Sequence, residues 1–302
     1  MRVVQIEHPE HGRRVAMVDE PHLRLLDGVT SVYELSGEPK VSSTALLYDD
    51  IYAGMSQWTL LPPIDHPHEP ARCLVSGTGL THLASASGRD AMHSAQQPVT
   101  DSMRMYQWGV EGGRKLPGAA PEWFYKGSGR DVRAHLQELT AGRDENCGEE
   151  AEIAGVYLIN PQGKPVRIGM TQGNEFSDHG LEKRNYLYLA ASKLRPCSIG
   201  PELVLDPAFD DVRGEAAIER EGTIIWKRAL HTGEAAMCHS LANIEHHHFK
   251  FAPHCHPGDV HIHFFGASAF SFADAIALHH GDVMSIHFDG FGRALLNRLA
   301  RL

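Results

Sequence analysis

The chain lacks a surplus of positive charge. Its 28 lysines and arginines are outnumbered by 38 aspartates and glutamates, a formal net charge of -10. A nucleic-acid binder needs a basic face to neutralise phosphates, so no nucleic-acid partner is expected. Long apolar runs are missing too. No stretch reaches the ~20 apolar residues that span a bilayer, so no membrane partner is expected. The opening Met1-Arg2-Val3-Val4-Gln5-Ile6-Glu7-His8 is short and broken by polar residues. It reads as a first strand rather than as a signal peptide. Cysteine is sparse. Cys73, Cys147, Cys197, Cys238 and Cys255 are odd in number, scattered, and form no C-x-x-C. That pattern excludes a disulfide framework and suggests a reduced, cytoplasmic protein. No internal period of the kind that marks a repeat protein is visible.

What remains is an ordinary globular composition, 42% hydrophobic and 22% charged over 302 residues. That is enough chain for one large domain or two smaller ones. Short β-prone runs punctuated by Gly and Pro dominate, which predicts a mainly β (α+β) fold. Three prolines in Leu60-Leu61-Pro62-Pro63-Ile64-Asp65-His66-Pro67 preclude a helix or central strand and suggest a linker. A small N-terminal α+β domain over 1–70 and a larger domain over 71–302 follow. Few helices are expected. Asp131–Ala141 carries Val132, Leu136 and Leu139 at helical spacing. Leu181–Leu194 reads as a partly helical or irregular connection, and Ala269–Leu278 as a short turn or helix.

The chemistry concentrates in Gly148-Glu149-Glu150-Ala151-Glu152-Ile153-Ala154-Gly155-Val156-Tyr157-Leu158-Ile159. From Ile153 the run is apolar and β-prone. Residues i and i+2 of a strand share a face, roughly 7 Å apart. Glu150 and Glu152 can therefore converge on one hard cation. A third acid, Glu175, follows in Asn174-Glu175-Phe176-Ser177, and Lys193 comes after it. Three oxygen ligands and an ammonium suit Mg²⁺, or Mn²⁺, with an anionic, oxygen-rich substrate. The bland alternative is a solvated strand face.

In chain order, further motifs resemble those of the fumarylacetoacetate hydrolase superfamily, over roughly residues 72–302. Leu74 to His82 looks like the first core strand and its histidine. Pro121-Glu122-Trp123-Phe124-Tyr125-Lys126 resembles P-x-x-F-x-K, Glu150-Ala151-Glu152-Ile153 resembles E-x-E-L, and Asn174 to Ser177 resembles N-D-x-S. Ser192-Lys193 with Ser198-Ile199-Gly200-Pro201 looks like the family lysine and its L-G-P. Gly281 to Gly292, then Leu295-Leu296-Asn297, resembles the closing G-D-V…I-x-G-x-G-x-L-x-N. The resemblance implies a mixed β-sandwich roll in the C-terminal catalytic domain and a homodimer. It also implies metal ligands Glu150, Glu152 and Glu175, and substrate-side roles for Phe124, Lys126, His179 and Ser268.

The departures narrow the chemistry. Where family hydrolases show H-x-x-E after the first strand, a dyad that activates water, His82 is followed by Ser85. The third ligand is Glu175 instead of Asp. The arginine after N-D-x-S falls at His179, and G-T-P appears as Gly266-Ala267-Ser268. The metal cradle is kept without the hydrolytic dyad. That combination is similar to the sugar-acid branch, which dehydrates 2-keto-3-deoxy aldonates. The Tyr186–Pro201 tract and His263 to Ser268 look most like bacterial proteins of pentose-acid (arabinonate-type) breakdown. The expected substrate is a small 2-keto acid, a 2-keto-3-deoxypentonate giving 2-oxoglutarate semialdehyde. Lys193 is the candidate base, with its pKa lowered by burial beside a cation, or else a purely electrostatic group. His82 is a candidate general acid or a hydrogen-bonded core residue.

Two other classes stand beside this one. C–C hydrolysis of a 2,4-diketo acid would use the same metal. A histidine-rich zinc module would draw on His246-His247-His248, His254-Cys255-His256 and His261-Ile262-His263, since H-x-H on a strand shares one face. No glutamate follows that H-x-H, as a cupin-type site would want. A non-catalytic protein keeping the fold would be marked by lost ligands, and the ligands are present.

Overall fold

The computed structural model describes residues 1–35, 37, 39–93 and 100–302. Its largest sheet begins at the N-terminus. Val41–Leu47, His22–Leu26, Gly12–Asp19 and Arg2–His8 run side by side. Leu203–Val204 pairs with Arg2 and Val3 and carries the sheet onward to Pro165–Asn174, Ala151–Ile159, Val260–Phe264, Cys73–Gly79 and Glu122–Ser128. The sheet therefore continues across position 70. The proline-rich stretch packs against the first strand: Leu60 pairs with Ile6, and Pro62 accepts a hydrogen bond from Gln5 Nε2 at 2.7 Å. A second sheet holds Thr223–Thr232, Val212–Arg220, Val283–Phe288, Leu295–Arg301 and Leu139–Ala141. Its inner face shares a core with Ile153, Phe176 and Phe265 of the first sheet's functional end. This is the mainly β, α+β architecture that the composition suggests.

The Ala151–Ile159 strand is central because it is apolar on both faces, and almost every residue in it is buried. It forms an antiparallel ladder with Pro165–Asn174, in which Ala151 faces Asn174. Glu150 sits just before one strand and Glu175 just after the other. The ladder thus brings two acids, distant in sequence, to one end of the sheet, with Glu152 one step inside.

Two local expectations need correction. Asp131–Ala141 is not a helix. Val132–Arg133 and Leu139–Ala141 are short strands in parallel ladders with Cys197–Ser198 and Leu299–Arg301. Between them Leu136 adopts a left-handed φ of 66°, so tertiary pairing overrides the helical spacing. Helices also form where none was expected, at Leu83–His93, Asp101–Gly112 and Leu241–Phe249. The last two carry Thr100 and Ser240 as N-caps, each accepting a backbone N–H three residues on. The Leu181–Leu194 connection is partly helical as read, through His179–Arg184 and Leu189–Ser192. Ala269–Leu278 holds a single short turn of helix, Ser271–Asp274. All five cysteines are free. Among the described residues, no helix is long and apolar enough to cross a membrane.

Candidate active site

Glu150, Glu152 and Glu175 meet at the end of the Ala151–Ile159 ladder, each offering an oxygen within 4.8 Å of the others. The backbone fixes this convergence. Glu175 N–H donates to Glu150 O at 2.9 Å, and Glu150 N–H donates to Asn174 Oδ1 at 3.2 Å. Ser177 Oγ bonds Glu175 Oε1 at 3.0 Å. Glu152 Oε2 accepts from Gly266 N–H at 2.7 Å. Gly266 lies at φ +101°, where a Cβ would fall 2.0 Å from Thr81 Oγ1, so the close approach needs glycine.

Cations surround the trio. Lys193 Nζ bonds both Glu150 and Glu175 and sits 4.7 Å from the Phe124 ring centroid. Lys126 Nζ lies 2.9 Å from Glu175 Oε1 and also bonds Phe176 O. Arg89 holds Glu122 through Nη1 at 2.6 and 2.8 Å and approaches Glu182 through Nε at 2.5 Å. Tyr186 Oη adds a hydrogen bond to Glu122 at 2.7 Å. Five buried carboxylates (Glu122, Glu150, Glu152, Glu175, Glu182) thus share the cluster with three cations (Arg89, Lys126, Lys193). Fully ionised, the set carries two more negative than positive charges. Buried charge without a partner is strongly unfavourable. A divalent cation at the three glutamates supplies the missing two charges, so the donor set fits Mg²⁺ or Mn²⁺.

The proton equilibria follow the same geometry. Burial, then Glu175 and Glu150, hold the Glu152 carboxyl well above its usual range. Burial would raise Glu150 as well, but Lys193 and then His179 bring it below. Lys193 departs from expectation. Burial acts to lower its ammonium, yet Glu150, Glu175 and Glu182 raise it above its ordinary value. Burial also acts against the Glu182 carboxylate, and Arg89 outweighs it, so Glu182 is held low and anionic. Glu149 belongs elsewhere: burial pushes it up to about 7, and it accepts from Ser271 N and Oγ at 2.7 Å.

The cleft over the trio is lined by Ser85, Arg89, Glu150, Glu152, His179, Glu182 and Lys193, with Leu80 and Phe270 beside them. Of the sequence-derived candidates, Glu150, Glu152, Lys193 and His179 line it, and Glu175 completes the trio beneath. Phe124 and Lys126 stand behind Lys193 and Glu175. Two further candidates, His82 and Ser268, do not line the cleft either. His82 is the hydrogen-bonded core residue: Nδ1 bonds Thr81 Oγ1 at 2.9 Å and Nε2 bonds Thr232 Oγ1 at 3.1 Å. Burial lowers it to about 4. Ser268 Oγ instead accepts from His231 N–H at 3.2 Å.

The histidine-rich stretch packs as rings. His248 Nε2 bonds His261 Nδ1 at 2.9 Å, and His263 bonds Ser76 and Thr78 at 2.8 and 2.7 Å. His246 to His248 lie on a helix rather than a loop. Among the described residues, no group of three histidine or cysteine ligand atoms forms there, which removes the basis for a zinc module.

Sequence reasoning missed Arg89, Glu122 and Glu182. Glu182 had a legible signal: His179-Gly180-Leu181-Glu182 places two polar groups on one face of a helix begun by Asp178, whose side chain accepts from Leu181 N–H. Arg89 had none, because its helix was not recognised.

The fold is one that sugar-acid dehydratases and a muconate isomerase also adopt. No family model matches the chain. In structure, the whole chain superposes on 99% of a 2-keto-3-deoxyarabinonate dehydratase at TM-score 0.76 and 17% identity. It matches a 2-keto-3-deoxy-D-arabinonate dehydratase complexed with magnesium and 2,5-dioxopentanoate at TM-score 0.75 and 18% identity, over 100% of this chain and 99% of that one. It also covers all of a 5-carboxymethyl-2-hydroxymuconate delta-isomerase from Mycobacterium smegmatis, at 0.64 and 18%. In sequence, a probable 2-keto-3-deoxyxylonate dehydratase of Haloferax volcanii is 38% identical over 72 residues, 22% of this chain. That match spans only 25% of the relative's length.

Proposed function

We propose that the protein is a Mg²⁺-dependent hydro-lyase that removes water from a 2-keto-3-deoxypentonate to give 2-oxoglutarate semialdehyde. The observation that carries this reading is the buried trio Glu150, Glu152 and Glu175, whose cluster, when fully ionised, is two positive charges short of neutrality. The fold shared with a dehydratase complexed with magnesium and 2,5-dioxopentanoate supports it. A divalent cation held by the three glutamates would polarise the 2-keto group and acidify the C3 proton.

The chain's own residues supply the rest. Glu150 and Glu175 position Lys193 Nζ, whose side chain is 1% exposed, beside the reacting carbons. There it holds a proton next to developing negative charge and takes part in transfer at C3. Phe124 covers its ammonium and keeps water from it. Lys126 neutralises Glu175 from behind and so fixes the ligand's orientation. Leaving-group protonation does not fall to His82, whose ring is committed to two hydroxyls. Hydrolysis of a 2,4-diketo acid would need an activated water, and the His82/Ser85 corner offers no base for one. A reduced compartment agrees with five unpaired cysteines. A homodimer and a place in bacterial pentose-acid breakdown are carried over from the resemblance.

The test is chelation. EDTA should abolish turnover of a 2-keto-3-deoxypentonate, and Mg²⁺ should restore it. Turnover that survives chelation, and borohydride trapping on a lysine, would replace this reading with a Schiff-base mechanism.

A further inference from the structure

A helix that lines the cleft carries two buried polar atoms without a hydrogen-bond partner. They are Nε2 of His179 and Oε1 of Glu182, one turn apart on His179–Arg184. Both residues are 2% exposed. Glu182 Oε1 lies 2.5 Å from Arg89 Nε but makes no aligned hydrogen bond with it, so it keeps acceptor capacity. Arg89 Nη1 is committed to Glu122 and its Nε faces Glu182, so one guanidinium charge is shared by two carboxylates. His179 stacks on Phe270 and Phe272, at 5.2 and 5.0 Å between centroids, and turns Nδ1 toward Glu150 at 4.0 Å. Ser85 adds a hydroxyl to the same wall. Buried groups left unpaired are costly, and a ligand with complementary donors removes that cost.

This wall stands beside the carboxylate trio, where the far end of a bound 2-keto acid would rest. It offers an anionic acceptor and an imidazole nitrogen. That chemistry suits hydroxyl groups and repels a second carboxylate. We propose that Glu182, helped by His179, reads the hydroxylated tail of the substrate and selects polyhydroxylated 2-keto acids over dicarboxylic ones. The inference rests on the function proposed above and goes further, by naming the residue that chooses the substrate class. Such discrimination is strong where a site holds unpaired polar groups for an absent hydroxyl.

Glu182→Gln keeps the shape and removes the charge. With Mg²⁺ present, calorimetry would compare wild type and this variant against two 2-keto acids that carry no hydroxyl, pyruvate and 2-oxoglutarate. Pyruvate affinity should agree within about twofold between the two proteins, since it lacks a tail. Affinity for 2-oxoglutarate should tighten about tenfold or more in the variant, and KM for a 2-keto-3-deoxypentonate should rise by a similar factor, as for the loss of one charged hydrogen bond. Unchanged binding of 2-oxoglutarate would overturn the proposal. So would a parallel loss of pyruvate binding, which would make Glu182 a structural support for the cleft. If pyruvate and 2-oxoglutarate behave as expected but no pentonate is turned over, the tail-reading role stands and the dehydratase reading falls.

Discussion

Replacing Glu152 with glutamine should separate two effects that normally oppose each other in a stability measurement. Glu152 is buried and its oxygens lie within 4.8 Å of those of Glu150 and Glu175. Two unit charges 4.8 Å apart repel by about 3.5 kcal/mol at an effective dielectric near 20. Lys193, which touches the other two glutamates, offsets much of this. A net relief on the order of 1 kcal/mol is therefore expected when the charge at 152 is removed. The amide oxygen can still accept from Gly266 N–H, so the loop is not released. The sign is set by the raised carboxyl. Its cost is absent below the unfolded pKa near 4.3 and grows above it until the folded pKa is passed. In EDTA at neutral pH the variant should thus match wild type or melt higher. Mg²⁺ reverses the order. A cation bound only by the folded chain, at about a hundredfold over Kd, adds about 2.7 kcal/mol. For wild type that amounts to several degrees in Tm, while the variant, one ligand short, should gain about a degree or less. The assay is scanning calorimetry of both proteins with EDTA and with Mg²⁺. A variant that melts well below wild type in EDTA, or gains as much from Mg²⁺, would refute the assignment of Glu152 as a cation ligand.

Lys193→Met should lower kcat by about two orders of magnitude or more, with a smaller change in KM, because Nζ acts on developing charge. A pure KM effect in steady-state kinetics would make it a binding residue. The histidine cluster should resist protonation. Burial lowers His261 and His263 to about 3, and His248 further still. A histidine held neutral contributes stability above pH 6.5 that is lost as pH falls toward its folded value, about 2 kcal/mol each by pH 5. NMR of the imidazole protons should show these rings neutral down to pH 5, and titration near 6.5 would contradict their packing.

The carboxylate trio was legible because its signal is local: a two-residue period on a strand, then an acid at the start of the next turn. The ladder that pairs Ala151 with Asn174 turns that pattern into a site, and nothing in it competes. Residues that act across elements were not legible in the same way. Arg89 reaches Glu122 and Glu182 from a helix, Leu83–His93, that the sequence reading did not place. His82 was ambiguous in sequence, and only Thr232, 150 positions away, shows that its ring is spent on the core. Asp131–Ala141 misled for a related reason. Its apolar spacing suits a helix, yet two edge pairings and the left-handed Leu136 draw it into strands. Local pattern therefore pointed to the three carboxylates and the sheet, while long-range pairing decided which polar side chains line the cleft.

Product analysis by NMR and mass spectrometry, with Mg²⁺ and D- and L-2-keto-3-deoxypentonates or a 2,4-diketo acid, is the most direct measurement. Loss of one water from a pentonate, giving 2-oxoglutarate semialdehyde, is the expected outcome. Pyruvate and a second acid formed from the diketo acid alone, with the pentonates untouched, would contradict it and make the protein a C–C hydrolase.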